Sequence, residues 1–419
     1  MDEAEISTFV HAADLHLGAP LHSLGRRIDS AKAEHLRKLA ASAFDRLVSL
    51  TIQQKSKVLV LAGDVYDHAE REIAAQLRFQ QGMQQLCDEG VKVFIAHGNH
   101  DPLVSSYRPA AKLPDNVVVF EPGAPQVHEV ELADGSTLNV CGTSFSNSAE
   151  TENLARRFRG LSLGTERSVA VLHANLAGTS GHDNYAPCTV DDLAGADNVA
   201  YWALGHIHAR TVAPLGPGRW YAYPGNLQGR STKPTECGAK GALVVPLTRY
   251  GISEPKFEPC DAVRFVRLDV DVSAAQDAAE ALDIVNEQCA LEVGAAEDRP
   301  ILARVMLCGA SHAHSQLLEI DDLVAVMRER VAETLGDGDI VNAKVATRIH
   351  TERAQLLERG DLLSELLVEL DALRAAPDEL AERIGDLKPA ADKALAGSEA
   401  YPELLDEVER ILIDRLELP

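Results

Sequence analysis

Residues 93–102 read VFIAHGNHDP: an apolar run fit for a strand goes directly into His97, Gly98, Asn99, His100 and Asp101, then stops at Pro102. So short an unbroken apolar run, without polar alternation, is the mark of a strand buried on both faces. The same pattern occurs four more times before residue 210. TFVHAADLHLG carries Phe9 and Val10 into Asp14 and His16, and KVLVLAGDVYD carries Val58 to Ala62 into Gly63, Asp64 and Asp67. SVAVLHANL delivers His173, and VAYWALGHIHAR delivers His206 and His208. Helical patterns from about Ser30 to Lys55 and from Glu70 to Glu89 lie between the early strands. Strand-helix-strand alternation predicts an α/β fold with parallel strands joined by right-handed crossovers. The C-terminal strand ends of such a sheet share one edge, which is where ligands bind.

Collected at that edge are Asp14, His16, Asp64, Asn99, His100, His173, His206 and His208. Carboxylates, imidazoles and one amide oxygen suit divalent ions of intermediate hardness, Mn²⁺, Fe²⁺ or Zn²⁺, with Mg²⁺ also possible. The set is too large for one closed tetrahedral site and sufficient for two ions sharing a carboxylate. In DxH and HxH, residues two apart on an extended chain point the same way, so both side chains can face one metal pair. Two ions about 3.5–4 Å apart can bind the attacking and leaving oxygens of an in-line displacement and activate a water, which is the chemistry of phosphoester hydrolysis.

Composition bounds the alternatives. At 419 residues, 46% hydrophobic and 25% charged, the chain has room for two or three domains and the balance of an ordinary globular protein. No apolar run approaches the roughly 20 residues of a membrane span, and the acidic start MDEAEISTFV offers no secretory signal. The expected location is therefore the cytoplasm. Seven scattered cysteines, none in CxxC spacing, predict reduced, mostly buried thiols. The formal charge of -24 runs against a nucleic-acid partner. Part of it belongs to the tail, where residues 351–419 hold 18 acidic and 8 basic side chains, a net of 18 − 8 = 10 negative charges. A metal site would offset more of it locally.

After further strand signals in RWYAYPGNLQGR and KGALVVPL, the character of the sequence changes near Asp261. VRFVRLDVDV, a helix to about Ala290, PILARVMLCGA, a helix near 317–335 and DIVNAKVATRIH form a β-α-β-α-β series. Beyond Thr351, leucines at helical spacing stand opposite acidic faces. The expected domains are 1–260 for the main α/β domain, 261–350 for a small α/β domain and 351–419 for a helical segment.

The series D14-x-H16, G63-D64-x-x-D67, G98-N99-H100-D101, H173 and G205-H206-x-H208 resembles the calcineurin-like metallophosphoesterases over residues 9–208. HAADLHLG, YPGNLQGR and ECGAKG are similar to the SbcD-type DNA repair exonucleases, in particular their YhaO-like bacterial branch. The resemblance implies a metallophosphoesterase sheet sandwich flanked by helices, a capping domain and a helical C-terminal tail. It implies that Asp14, His16, Asp64 and His208 hold one metal and Asp64, Asn99, His173 and His206 the other. His100 then stands beside the phosphate as a catalytic group, with Asp101 orienting it. Two Mn²⁺ ions, DNA ends as substrate, an SMC-type ATPase as partner and a homodimer are also implied.

Plainer readings stand beside these. His11 is a candidate to support a ligand, while His22, His97, His128 and His182 read as support or surface, and Asp67 reads as shaping its loop. Arg230 could meet a substrate phosphate or be a solvated loop residue. The tail helices could dock a partner or fold back on the small domain. For function, the first reading is a DNA nuclease of double-strand break repair. The second is a small-molecule phosphatase or nucleotide phosphodiesterase on the same metal core, which the acidic charge favours and exposed Lys and Arg on the cap would count against. The third is a non-catalytic scaffold for DNA ends and the ATPase, against which the complete ligand set argues.

Overall fold

The computed structural model describes residues 5–19, 21, 28–67, 72–103, 111–132, 134–163, 167–176, 184–349, 353–375 and 401–416. His22, His182 and the middle of the tail, residues 376–400, lie outside them. The strands before residue 260 are β1 (Glu5–Ala12), β2 (Val58–Ala62), β3 (Lys92–Ala96), β4 (Val117–Val119), β5 (Gln126–Glu131), β6 (Thr137–Gly142) and β7 (Ser168–His173). They continue with β8 (Tyr201–Gly205), β9 (Thr211–Gly216), β10 (Arg219–Tyr223), β11 (Gly241–Thr248), β12 (Gly251–Ile252) and β13 (Lys256–Pro259).

These strands make two sheets, the sandwich flanked by helices that the resemblance implies; the strand pattern by itself says only that the strand ends share an edge. The first has the order β12-β11-β1-β2-β3-β4, with β13 also paired to β11; the second has the order β5-β6-β7-β8-β10-β9. β1 to β4 are mutually parallel, as are β6, β7, β8 and β10. Antiparallel strands, β11 beside β1 and β5 beside β6, extend each sheet. The alternation along β2 shows how the layers arise. Val58, Val60 and Ala62 face the second sheet's Val140, Val169 and Tyr201. Leu59 and Leu61 face Phe44, Leu47, Phe79 and Met83 on the helices. Those helices are α1 (Ser30–Ala41), α2 (Ala43–Gln53) and α3 (Ile73–Asp88). The second sheet's outer face, with Leu172, Trp202 and Leu204, packs on Leu154, Phe158 and Leu193, the last in α4 (Val190–Ala194).

The helix expected from Ser30 to Lys55 is two, because at Ser42 the Oγ donates to the Leu39 carbonyl at 2.6 Å and the backbone N–H bonds the same oxygen at 2.8 Å. A serine back-bonding this way competes with the helical ladder.

Beyond residue 260, β14 (Arg264–Asp271), α5 (Ala278–Ala295), β15 (Ile301–Cys308), β16 (Ala310–Ser311), α6 (His314–Leu318), α7 (Leu323–Leu335), β17 (Asp339–Val345) and β18 (Arg348–Ile349) follow in sequence. β14, β15 and β17 form a three-stranded sheet. At its start Asp261, fully buried, bonds Arg264 at 2.9 Å and Arg299 at 3.2 Å through its carboxylate, while its carbonyl accepts from Arg46 of α2 at 2.8 Å. Phe265, Leu302 and Val341 pack on Leu36 and Ala40 of α1. The chain resolves into two compact units, Met1–Val270, Ala279–Leu307 and Ile320–Ala346 in one, Asp271–Ala278, Cys308–Glu319 and Thr347–Pro419 in the other.

In the second unit lie α8 (Arg353–Glu358), α9 (Leu362–Ala375) and α10 (Tyr401–Leu416). Their leucine stripes meet one another: Leu356, Leu363, Leu367, Leu370 and Leu405 form one cluster. Arg353 adds bonds to Asp371 at 2.6 Å and to Glu409 at 2.7 Å. The seven cysteines are all free, and no helix of the described residues is long and apolar enough to cross a membrane.

Candidate metal centre

The ends of β1, β2 and β3 from the first sheet and of β7 and β8 from the second converge. Backbone bonds lock them together: Asp14 N–H to the Gly63 carbonyl at 3.0 Å, His16 N–H to the Asp64 carbonyl at 2.9 Å, and His206 N–H to the Asp14 carboxylate at 3.0 Å. The sheets approach closely at Gly205, where a Cβ would lie 1.8 Å from the Ala62 carbonyl oxygen. Gly205→Ala should therefore cost about 1–3 kcal/mol or more in urea unfolding; unchanged stability would mean that the strand ends are not packed this tightly. Asp14, His16, Asp64 and His206 have φ of 52°, 45°, 49° and 100°. Left-handed backbone at non-glycine residues costs on the order of 1–3 kcal/mol each and gathers at functional sites.

His16 and His208 face each other. The His16 Nδ1 is 3.0 Å from Asp67 Oδ1, and the His208 Nδ1 is 2.7 Å from Glu236 Oε1. A carboxylate only accepts, so the His208 Nδ1 donates to Glu236, and the His16 Nδ1 is the ring nitrogen turned toward the Asp67 carboxylate. Burial lowers the His16 pKa to about 4 and that of His208 below its usual value, which favours the neutral ring in both. Each then presents a bare Nε2, and the two stand 3.2 Å apart. Two converging lone pairs repel unless a cation lies between them. With metal–nitrogen bonds of about 2.1 Å, neighbouring ligands sit roughly 3.0–3.4 Å apart in octahedral to tetrahedral geometry.

His173 is arranged in the same way. Its Nδ1 donates to the Ala62 carbonyl at 2.9 Å, and burial lowers its pKa to about 4. Its bare Nε2 faces only acceptors, Asn99 Oδ1 at 3.0 Å and Asp64 Oδ2 at 3.5 Å. Asp64 Oδ2 is also 3.9 Å from His16 Nε2, so this carboxylate lies between the two groups. The His206 ring lies 5.2 Å from that of His173, centre to centre. Burial and the nearby Asp64 push the Asp14 carboxyl well above its usual range; burial likewise raises Asp64. Carboxylates crowded out of water next to bare imidazoles are a cation site by their chemistry. Ligand atoms of Asp14, His16 and His208 lie within 4.8 Å of one another, as do those of Asp14, Asp64 and His173, and those of His16, Asp67 and His100. The residues present therefore fit divalent metal.

His100 stands at the margin, its side chain 38% exposed. The expectation that Asp101 orients it needs correction. The His100 Nδ1 is held by the Asp67 carbonyl at 2.7 Å, and its backbone N–H by Asp64 Oδ1 at 2.9 Å. Asp101 is fully buried and bonds His97 Nδ1 at 2.9 Å and the N–H groups of Gly98 at 3.0 Å, Val65 at 2.9 Å and Tyr66 at 3.2 Å. It clamps the two loops after β2 and β3, and orienting His100 falls to the Asp67 backbone. The physical reason is reach: the turn at Gly98 aims Asp101 inward at the backbone amides of Gly98, Val65 and Tyr66 while His100 points out.

Three further residues belong to the site. Asp67 lies 3.0 Å from the His16 Nδ1 and accepts from Arg230 at 2.8 Å. Burial opposes its ionisation, yet the bond from His16 and the neighbouring Arg230 hold its pKa down to about 2. Glu236 is buried, accepts from Asn226 at 2.8 Å and Arg230 N–H at 2.9 Å as well as from His208, and is likewise held to about 2 against burial. Its signal was the ECGAKG stretch, an acidic residue beside a turn. His11 is buried between the sheets and bonds the Tyr201 hydroxyl at 2.9 Å, and His97 supports the loop through Asp101. His128 lies on β5 against Phe94 and Phe120.

Comparison with known proteins gives an independent measure. The family described as calcineurin-like phosphoesterase matches residues 7–210. The middle domain of metallophosphoesterase YhaO matches residues 265–352. The uncharacterized metallophosphoesterase YhaO of Bacillus subtilis (strain 168) is 30% identical over 331 residues, 78% of each chain. The DNA double-strand break repair protein Mre11 of Methanopyrus kandleri is 24% identical over 408 residues, 90% of this chain and 84% of that protein. A component of the nuclease SbcCD of Bacillus subtilis is 23% identical over 248 residues, 49% of this chain and 59% of that one.

Proposed function

Because this chain belongs to the calcineurin-like metallophosphoesterases, a family of metal-dependent phosphoester hydrolases, we propose that it is a nuclease that cuts phosphodiesters at DNA ends during double-strand break repair. In this reading Asp14, His16, Asp64 and His208 hold one ion and Asp64, Asn99, His173 and His206 the other, both Mn²⁺. When bound, the ions supply Lewis-acid stabilisation of the developing charge and make a water more acidic. His100 presents its Nε2 to the phosphate, as a charge stabiliser or as the acid for the leaving oxygen.

The observation that carries DNA over a small ester is a set of uncovered cations, Arg267, Arg304 and Lys344, on the sheet of β14, β15 and β17, where Asp269 and Asp271 are exposed as well. Alternation along β14 leaves Arg267 exposed, and along β15 and β17 the paired Arg304 and Asn342, then Met306 and Lys344, are not covered. β14 is tied to the loop that supports His208. Gly238 N–H bonds the Phe265 carbonyl at 2.9 Å, and Arg267, Lys240 and Arg304 all act on the Cys237 thiol, which burial raises. Several cations spread over one sheet suit a chain of phosphates better than a single ester. Two relatives, one named for double-strand break repair and one for a nuclease, point the same way.

Residues 1–260 are then the nuclease domain, 261–350 the cap and 351–419 the docking segment for an SMC-type ATPase, with Leu362, Val368 and Ile411 exposed on its helices. The setting is cytoplasmic, and the active form is a homodimer. Replacing both Arg267 and Arg304 with Glu should lower cleavage of labelled linear DNA about tenfold or more near 0.1 M salt. Hydrolysis of bis-p-nitrophenyl phosphate should not change. If wild-type protein with Mn²⁺ leaves linear DNA intact, alone and with its ATPase, while hydrolysing the small diester, the DNA reading fails and the small-substrate reading replaces it.

A further inference from the structure

The two halves of the centre are built unequally, and Arg230 is the reason. Its Nη1 bonds Asp67 Oδ1 at 2.8 Å, and its Nη2 lies 3.8 Å from Glu236 Oε1. Each of those oxygens also faces the Nδ1 of a histidine, Asp67 that of His16 and Glu236 that of His208. The contacts thus close a ring: His16, Asp67, Arg230, Glu236, His208, and back to His16 across the gap of 3.2 Å between the Nε2 atoms. Glu236 is further pinned by Asn226 at 2.8 Å and by the Arg230 backbone N–H at 2.9 Å, so its carboxylate has little freedom. On the other side His173 is oriented by the Ala62 carbonyl, a neutral group, and Asn99 is a neutral ligand.

We infer that Arg230 is a positioning residue that ties Asp67 to Glu236 and so presets His16 and His208, making their half of the centre the tighter of two unequal metal sites. A carboxylate behind an imidazole fixes its tautomer and raises its basicity more than a carbonyl does, and removing such a partner typically costs 10–100-fold in metal affinity. The arginine touches neither ligand nitrogen, and its charge works against a nearby cation. Its benefit to binding must therefore come through the two carboxylates it holds.

The inference rests on the metal reading of the site, and one experiment separates the two. Chelator-stripped full-length protein is titrated with Mn²⁺ by calorimetry, beside Arg230→Gln, Arg230→Lys, Asp67→Asn and Asp64→Asn. Wild type should bind two ions in resolved steps. Arg230→Gln should weaken the tighter step about 10–100-fold and leave the weaker one within about threefold. Asp67→Asn should give the same selective loss, and Arg230→Lys, able to reach one carboxylate but not span both, should fall between. Thermal unfolding of the stripped variants should match wild type, which excludes loss of fold as the cause. If both steps survive in Arg230→Gln, or both weaken equally, the positioning role is wrong although the metal centre stands. If wild type binds fewer than two ions, or Asp64→Asn binds as wild type does, the metal reading falls and the inference goes with it.

Discussion

Asp64→Asn should lower the rate of phosphodiester hydrolysis by about 10³-fold or more and reduce bound Mn²⁺ below two ions per chain. The substitution is nearly isosteric, so its effect is one of charge. An amide oxygen can still accept the His100 N–H that now bonds Asp64 Oδ1 at 2.9 Å, and packing in the buried site is retained. What is lost is the anion between the two halves, where Oδ2 stands 3.5 Å from His173 Nε2 and 3.9 Å from His16 Nε2. Most of the charge stabilisation in such a site comes from the ions, which are worth several kcal/mol to the transition state. Activity on bis-p-nitrophenyl phosphate and metal content by elemental analysis check the prediction together. A variant that keeps two ions and a rate within tenfold of wild type would remove Asp64 from the centre.

The sequence made the inner ring of this site legible and the outer ring nearly invisible, for reasons visible in particular residues. Asp14, His16, Asp64, Asn99, His173, His206 and His208 announce themselves because each ends a short apolar strand, where an imidazole or carboxylate has no packing role. Convergence of the five strands was readable from the βαβ pattern. Their division between two sheets was not, because parallel strands in either sheet carry the same apolar signature. Antiparallel β5, with exposed Glu129 and Glu131, and three-residue β4 are too polar or too short to register. Arg230 sits in a loop and Glu236 at the end of a single 3-10 turn, Pro234–Glu236, and nothing in local composition separates a clamped arginine from a solvated one. Their meaning depends on Asp67, 163 residues away from Arg230 in sequence. Asp101 misled for a related reason. Adjacency to His100 reads as partnership, whereas a turn sends neighbouring side chains to opposite sides.

His100→Ala is expected to give the complementary result: kcat lowered about 10²–10⁴-fold, the usual contribution of a placed acid or charge stabiliser, with two ions still bound. The geometry supports this division of labour. The His100 Nδ1 is committed to the Asp67 carbonyl at 2.7 Å, which leaves Nε2 as the reactive nitrogen on a ring 38% exposed, whereas the rings of His16 and His173 are buried. A ligand must be shielded from water, while a group that meets the substrate must be reachable by it. The rival role is also specific, since His16, Asp67 and His100 bring ligand atoms within 4.8 Å of one another. Metal content decides between them: a drop in bound Mn²⁺ in His100→Ala would make His100 a ligand, and an unchanged rate would leave the chain a scaffold. Loss of rate with full metal, on both linear DNA and the small diester, places His100 at the phosphate. In the proposed DNA reading Arg267 and Arg304 serve to hold the polymer, so a His100 defect should appear on both substrates and an Arg267 or Arg304 defect on DNA alone.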